Sequence, residues 1–286
     1  MIFGLTAALG WGLADFGGAV VGRRIGSLRA VLVSQGLSAL AMTAIFVAAG
    51  HGVSEIGPIA GWLALAGAVS ATAYFSHYRA LELGPVAVVS PIGAAYALVG
   101  VVLAVVLLGE RPGTMALAGG VVTVVGVMLA STDLRGLTRG TRTAAGPGVR
   151  WALLSSVLFG VGAFLLGWFA QRVGWVAGLW ASRAAQFAAM ALFAGVWKRG
   201  DLGLRTTARG ALLGAALVGL ADLVGVVAYS AGAESGFISI VLVASAVFPL
   251  LALALAVAVL GERPVPNQYA GVVLVVGGLL MLGLGR

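Results

Sequence analysis

Long apolar runs separated by short polar corners extend from one end of this chain to the other. On the ruler of about 20 apolar residues per bilayer crossing, ten runs qualify: 2–21, 29–49, 58–78, 86–108, 113–131, 150–170, 176–196, 209–229, 237–260 and 265–284. They are apolar throughout, where barrel strands would alternate. A polypeptide in hydrocarbon must satisfy its backbone polar groups internally, so all ten are expected to be helices. The least apolar gap, 132–149, holds Asp133, Arg135, Arg139, Arg142 and Pro147 and reads as a linker between residues 1–131 and 150–286. Each flanking unit has five spans. With an odd number of spans, the second unit enters the membrane from the opposite side, which predicts inverted repeats.

The polar corners carry the same message. Gly109-Glu110-Arg111-Pro112 recurs as Gly261-Glu262-Arg263-Pro264, each time between two apolar runs. Laying one copy on the other matches Ala118-Gly119 with Ala270-Gly271, Gly126 with Gly278, Glu82 with Glu234 and Gly84 with Gly236. The first part of each unit aligns as well: Trp11-Gly12 falls on Phe159-Gly160, Arg24 on Arg172, Gly26 on Gly174 and Ser34 on Ser182. Duplicated membrane halves are the architecture in which carriers place a substrate site at the repeat interface. Small residues at helical spacing, as in Gly57-xxx-Gly61, Gly174-xxx-Gly178 and Gly210-xxx-Gly214, predict close helix packing.

Composition narrows the class. Hydrophobic residues make up 61% of the 286 positions and charged residues 9%, against about 25% charged in ordinary soluble domains. Too much surface is apolar to be hidden from water, so lipid is the expected solvent. There is no Cys, which removes disulfides, thiol chemistry and Cys-based metal sites, and two His are too few for a His-based metal centre. No cofactor is expected. The net charge of +8 is dispersed over short corners, a topology signal more than a nucleic-acid footprint. Connections facing away from the N-terminus collect most of the Arg, which predicts that both termini lie outside the cytoplasm. The expected partners are a small-molecule substrate and the lipid bilayer, with a homodimer allowed and no nucleic acid; the expected location is the cell (inner) membrane.

Trp11-Gly12, the stretch Tyr74-Phe75-Ser76-His77-Tyr78-Arg79-Ala80-Leu81 leading through Gly84 into the fourth span, and the two Gly-Glu-Arg-Pro corners together resemble the EamA family of the drug/metabolite transporter superfamily. The resemblance covers essentially the whole chain. It implies an all-α integral membrane fold of ten transmembrane helices, two five-helix repeats around a central cavity, and secondary transport, often export, of amino acids, metabolites or drugs. Two departures stand out. The second unit has Phe159-Gly160 in place of Trp-Gly, and Ser230-Ala231-Gly232-Ala233 in place of the Tyr-Arg-Ala-Leu stretch. The cavity walls are therefore expected to be chemically unequal.

An ionisable side chain inside hydrocarbon costs roughly 2.5–3.5 kcal/mol on insertion scales, which makes it a functional candidate. Asp15, Arg183 and Asp222 qualify. At 1.5 Å per residue Arg183 and Asp222 reach about the same depth, about 10 Å from the N-terminal face, so an ion pair is geometrically allowed. Either Arg183 grips a substrate carboxylate or phosphate while Asp222 cycles a proton, or the two form a fixed pair that locks helices. Asp15 suits proton coupling, with bonding to Arg23, Arg24 or the backbone as its structural alternative, and His77 is a candidate relay. Gln35, Tyr74, Tyr78, Ser90, Tyr96, Gln186, Tyr229 and Ser245 are polar or aromatic lining candidates. Glu110, Arg111, Glu262 and Arg263 read as structural corners, and Glu82 and Glu234 as caps on the helix that follows each. Pro91 and Pro249 each remove a helical hydrogen bond within a span and mark a gate or site.

These features favour a carrier of amino acids or related zwitterionic or anionic metabolites, with proton-coupled efflux of cationic drugs as the alternative. An ATP-driven pump lacks its Gly-x-x-x-x-Gly-Lys loop, and the one lysine is Lys198. An intramembrane enzyme would need an activated nucleophile, and no Ser sits in a Gly-x-Ser-x-Gly setting. A membrane scaffold would tolerate substitution of Asp15, Arg183 and Asp222.

Overall fold

A computed structural model describes residues 1–84, 86–131, 147–197, 207–260 and 265–284. The elements are helical: α1 (Ile2–Ile25), α2 (Ser27–Ala48), a 3₁₀ segment (Val53–Trp62), α3 (Leu63–Leu83), α4 (Val86–Ala94), α5 (Tyr96–Leu108) and α6 (Thr114–Ser131), then α7 (Pro147–Val173), α8 (Trp175–Trp197), α9 (Arg209–Glu234), α10 (Ile238–Ser245), α11 (Phe248–Leu260) and α12 (Pro266–Leu284). Among the described residues, six helices are long and apolar enough to cross a membrane, and shorter apolar helices accompany them. Several helices outrun their apolar stretches: α1 continues through Arg23 and Arg24, and α7 carries Arg150 and Arg172. The helix persists past the apolar residues because termination is set by backbone geometry. Gly26 and Gly174, at matching corners, have φ of 83° and 81°, a conformation open to glycine at little cost.

Leu40, Val106, Leu192 and Val273 are 70–71% exposed. Large aliphatic side chains so placed all round a molecule fit a lipid environment rather than water.

The helices pack in matched pairs. α1 lies against α9 and α3 against α7; α1 also meets α10 and α11, and α7 meets α4 and α5. α2 packs on α8, and α6 on α12. The α6–α12 contact explains a glycine pattern that small-xxx-small spacing missed. A methyl group on Gly119 would lie 2.6 Å from the Gly278 carbonyl oxygen, and one on Gly126 would lie 2.9 Å from that of Gly271. Gly57, Gly61 and Gly210 meet nothing within 4 Å, so two of the three expected motifs do not mark contacts along their length.

The fourth and ninth apolar runs are each two short helices. The first breaks at Ala95, where Leu98 N–H reaches back only to the Ala95 carbonyl; the second breaks at Ala246–Val247, where Leu250 N–H reaches only Val247. Such tightened 3₁₀ turns inside a helix often mark hinges. Pro249 is buried in the first turn of α11, directly after its break, whereas Pro91 lies inside α4, upstream of Ala95. Proline alone therefore does not set the positions. Both breaks receive a glycine from the other half: a methyl group on Gly160 would be 2.7 Å from the Tyr96 carbonyl oxygen, and one on Gly12 would be 2.8 Å from that of Phe248.

The duplicated acids cap helix starts, though not those expected. Glu82 accepts from Ser27 N–H (3.1 Å) at the start of α2, and Glu234 accepts from Trp175 N–H (3.3 Å) at the start of α8. Each serves the second helix of its own half instead of the helix that follows it, because α3 and α9 return the chain to those corners. Glu110 crosses between halves. Its carboxylate accepts the Ile238 and Ser239 N–H groups (2.7 and 3.1 Å) and the Ser239 hydroxyl (2.6 Å), capping α10. Arg111 is exposed; Glu262 and Arg263 lie outside the described residues.

Candidate functional site

Helices from both halves enclose a cavity of about 110 Å³. Its walls come from α1 (Trp11, Asp15), α3 (Tyr74, His77, Tyr78), α5 (Tyr96), α7 (Phe159), α8 (Arg183, Gln186), α9 (Asp222, Tyr229) and α11 (Phe248). Tyr74, His77 and Tyr78 fall at i, i+3 and i+4, one face of α3. Tyr96 and Phe248 are the first residues after the two helix breaks, so the turns deliver both rings to the cavity.

On one side sits a closed polar cluster. Arg183 Nη2 pairs with Asp222 Oδ2 at 2.8 Å and also donates to the Tyr74 hydroxyl at 3.1 Å. Arg183 Nη1 donates to Gln35 Oε1 (2.5 Å) and Gln186 Oε1 (3.1 Å). Tyr74 in turn donates to Asp222 Oδ1 at 2.9 Å, and the Gln35 amide donates to Asp222 Oδ2 at 3.3 Å. The guanidinium also lies 5.2 Å from the centre of the Tyr74 ring, within cation–π range. The four Nη hydrogens thus face four acceptors. Burial of both charges is tolerable because the pair is fully hydrogen-bonded. The depth arithmetic placed Arg183 and Asp222 together correctly; Gln35 stands behind the pair and does not line the cavity.

A second cluster is built from the first half alone. Asp15 Oδ1 lies 2.8 Å from His77 Nε2, and Asp15 Oδ2 accepts the Ser90 hydroxyl of α4 at 2.5 Å. Asp15 is 7% exposed and His77 likewise. The two residues read separately as proton-handling candidates are therefore bonded to each other. Arg23 reaches instead to the Gly84 carbonyl at 2.9 Å, so it is not the partner of Asp15. Ser90 donates to the carboxylate and not to the imidazole, the reverse of the order that activates a nucleophilic serine.

Aromatic rings fill the remaining wall. Trp11 meets Tyr96 edge-on (centroids 6.0 Å apart) and tilts against Tyr229 (5.9 Å). Trp11 fits because Gly225 has no side chain; a methyl group there would be 2.5 Å from the indole Cδ1. Tyr78 bonds Ser34 (2.9 Å), Tyr96 bonds Ser245 (2.5 Å), and Tyr229 donates to the Ala163 carbonyl (2.8 Å). Ser90 and Ser245 support lining residues from outside the cavity. Trp11, Phe159 and Phe248 were not among the lining candidates read from the sequence, although the Trp11–Phe159 match between repeats pointed to the first two.

No curated protein matches the sequence. A solved crystal structure, described only as that of a protein, is similar over 99% of this chain and 96% of its own, with a TM-score of 0.74 at 21% identity; at that identity the likeness speaks for the fold alone. The model of the EamA-like transporter family matches residues 1–132 and 146–284. The chain therefore belongs to the EamA-like transporter family, membrane transporters of the drug/metabolite type.

Proposed function

We propose that this protein is a secondary active transporter that carries small metabolites such as amino acids or related zwitterionic compounds through the central cavity by alternating access. The observation that carries this reading is the buried Asp15–His77 pair on the wall of a cavity shared by both halves. A carboxylate and an imidazole in contact inside a membrane segment are chemistry that suits proton coupling. The paired contacts of α1 with α9 and α3 with α7, and of α6 with α12, support ten spans arranged as two inverted five-helix repeats. The breaks at Ala95 and Ala246–Val247, with Pro91 and Pro249 near them, are the proposed gating points. Export, from a cell membrane with both termini outside the cytoplasm, is the direction we favour.

Proton-coupled efflux of cationic drugs is the second reading. Arg183 already has four acceptors on its Nη groups, whereas Trp11, Tyr96, Tyr229 and Phe248 offer aromatic faces near Asp15. Such faces attract organic cations. Both readings disfavour a purely anionic cargo.

Counterflow in proteoliposomes tests the proposal. Vesicles preloaded with pooled amino acids and small organic cations should exchange at least one of them, faster across a pH gradient. Asp15→Asn should remove the gradient effect, and Arg183→Ala should abolish exchange in protein that still folds. Folded protein that exchanges nothing under any gradient would defeat the reading.

A further inference from the structure

The Asp15–His77–Ser90 cluster leaves one atom unused. His77 Nδ1 is buried and has no hydrogen-bond partner. The other unpartnered buried side-chain atoms among the described residues are the hydroxyls of Ser38, Ser76 and Ser230, none of which lines the cavity. His77 does line it. An unmet buried polar atom is costly to keep, so one on the wall of a binding cavity points to a group that arrives from outside the chain.

The space beside that atom is also specific. Gly93 of α4 faces the ring, and a methyl group added to it would lie 3.5 Å from His77 Cε1, 3.8 Å from Phe248 Cζ and 3.9 Å from His77 Nδ1. These are ordinary contact distances. Gly93 therefore leaves the His77 ring and Phe248 uncrowded on this side, with room for no more than its own missing methyl group.

The chemistry of this side follows from the ring's other nitrogen. With Asp15 ionised, Nε2 carries the ring proton and donates it to Oδ1, so Nδ1 is a bare acceptor. A neutral donor could satisfy it. A positively charged donor is favoured further by the carboxylate behind the ring and by the aromatic faces of Trp11, Tyr96 and Phe248. We propose that His77 Nδ1, left uncrowded by Gly93, is a docking point for the N–H of an ammonium group in the cavity, so that primary and secondary amines are taken and quaternary ammonium compounds are not. This rests on the transporter reading above and narrows its substrate class.

A coupling device comes with the docking point. A proton added to the ring, or to the carboxyl oxygen facing it, leaves Nδ1 as an N–H donor, which repels an ammonium instead of binding it. Proton and amine then compete for one atom. The titratable and charged groups around the ring are Asp15 on α1, Tyr74 and Tyr78 on its own helix, Tyr96 on α5, Arg183 on α8, and Asp222 and Tyr229 on α9; among the described residues α4 and α7 present Ser90, Gly93 and Phe159. Arg183 and Asp222 neutralise one another, which leaves Asp15 as the charge that sets the ring's state.

The test compares two probes of equal charge, phenethylamine and its N,N,N-trimethyl analogue, by calorimetric binding to the purified full chain at pH 8 and pH 6. The amine should bind about tenfold more tightly at pH 8, the worth of one charge-assisted hydrogen bond, and should lose more affinity at pH 6 than the trimethyl compound. His77→Gln, which can still donate to Asp15 but lacks Nδ1, should bring the ratio of affinities to about one. Gly93→Ala, whose methyl group fits at the distances above, should weaken the amine about tenfold and spare the analogue. Equal binding of the two probes by the unaltered protein, or a preference that survives both substitutions, overturns the docking point. Gradient-driven amine uptake without the preference would overturn the docking point and leave the carrier. The preference without any gradient-driven flux would keep the docking point and overturn the carrier.

Discussion

Residues that hold the frame and residues that face the cavity occupy matching positions in the two halves, yet only the first group matches in kind. Glu82 and Glu234 cap equivalent helix starts, and Gly12 and Gly160 admit equivalent helix breaks. Inside the cavity the pairs diverge. Trp11 stands where the second half has Phe159, Asp15 where it has Ala163, Ser70 where it has Asp222, and His77 where it has Tyr229. Duplication preserves what a helical frame needs at both ends, because capping and close approach are the same problem twice. The cavity has no such constraint. One half contributes an acid–imidazole pair with a spare nitrogen, and the boundary between halves is joined by an arginine with no Nη hydrogen to spare.

That contrast can be broken most forcefully at the closed cluster. Arg183→Ala leaves the Asp222 carboxylate buried without its partner, an expected loss of about 3–5 kcal/mol. Replacing both, as Arg183→Met with Asp222→Leu, should cost much less than either single change. Chemical unfolding in detergent micelles reads the difference. Additive losses would mean that the two residues do not act as a pair.

The frame is probed next at the helix breaks. Gly160→Ala and Gly12→Ala each place a methyl group against a carbonyl oxygen, at 2.7 and 2.8 Å, closer than ordinary contact. Each should destabilise by about 1–3 kcal/mol, the usual range for overpacking, and by similar amounts. Melting temperatures of the two variants decide it; a large inequality would show that the two breaks are not equivalent supports.

Asp15→Asn sharpens the comparison from the cavity side. The amide oxygen can still accept from His77 or Ser90, so the stability change should stay near about 1 kcal/mol. The pH dependence of exchange should flatten nonetheless. A variant that melts as sharply as Arg183→Ala would assign Asp15 to the frame.

Much of this architecture is legible in the letters, and the reasons differ by residue. The spans follow from hydropathy, because lipid leaves a helix few alternatives. The Arg183–Asp222 contact follows from depth counting along antiparallel spans. The Asp15–His77 bond does not, since counting gives depth but not azimuth, and the partners offered for Asp15 were Arg23, Arg24 or the backbone. Pro91 and Pro249 announced interrupted spans, but the positions of the breaks did not follow, because Pro91 lies upstream of Ala95 and the glycines that accommodate the breaks sit on other helices. Glu82 and Glu234 were visible as a pair, but their targets were not: a corner closed by a returning helix is a tertiary fact. Glu262 and Arg263, which completed the corner motif in sequence, lie outside the described residues.

The smallest expected effect tests the frame at its most symmetric point. Glu82→Gln and Glu234→Gln each keep a side-chain oxygen near the capped N–H and remove its charge from a helix start. The loss expected at each is about 0.3–1 kcal/mol, the usual worth of an acid at that end of the helix dipole. The two should not be identical. Glu82 also pairs with Arg79 at 2.9 Å, with the two side chains 24% and 37% exposed, and the matching place in the second half is Ala231. A half-exposed pair of this kind adds about 0.2–1 kcal/mol at most. Glu82→Gln should therefore be slightly the more costly, and Arg79→Ala should bring the two halves level. If Glu234→Gln proved the costlier in differential scanning measurements, the frame would be carrying an asymmetry that the cap geometry does not contain.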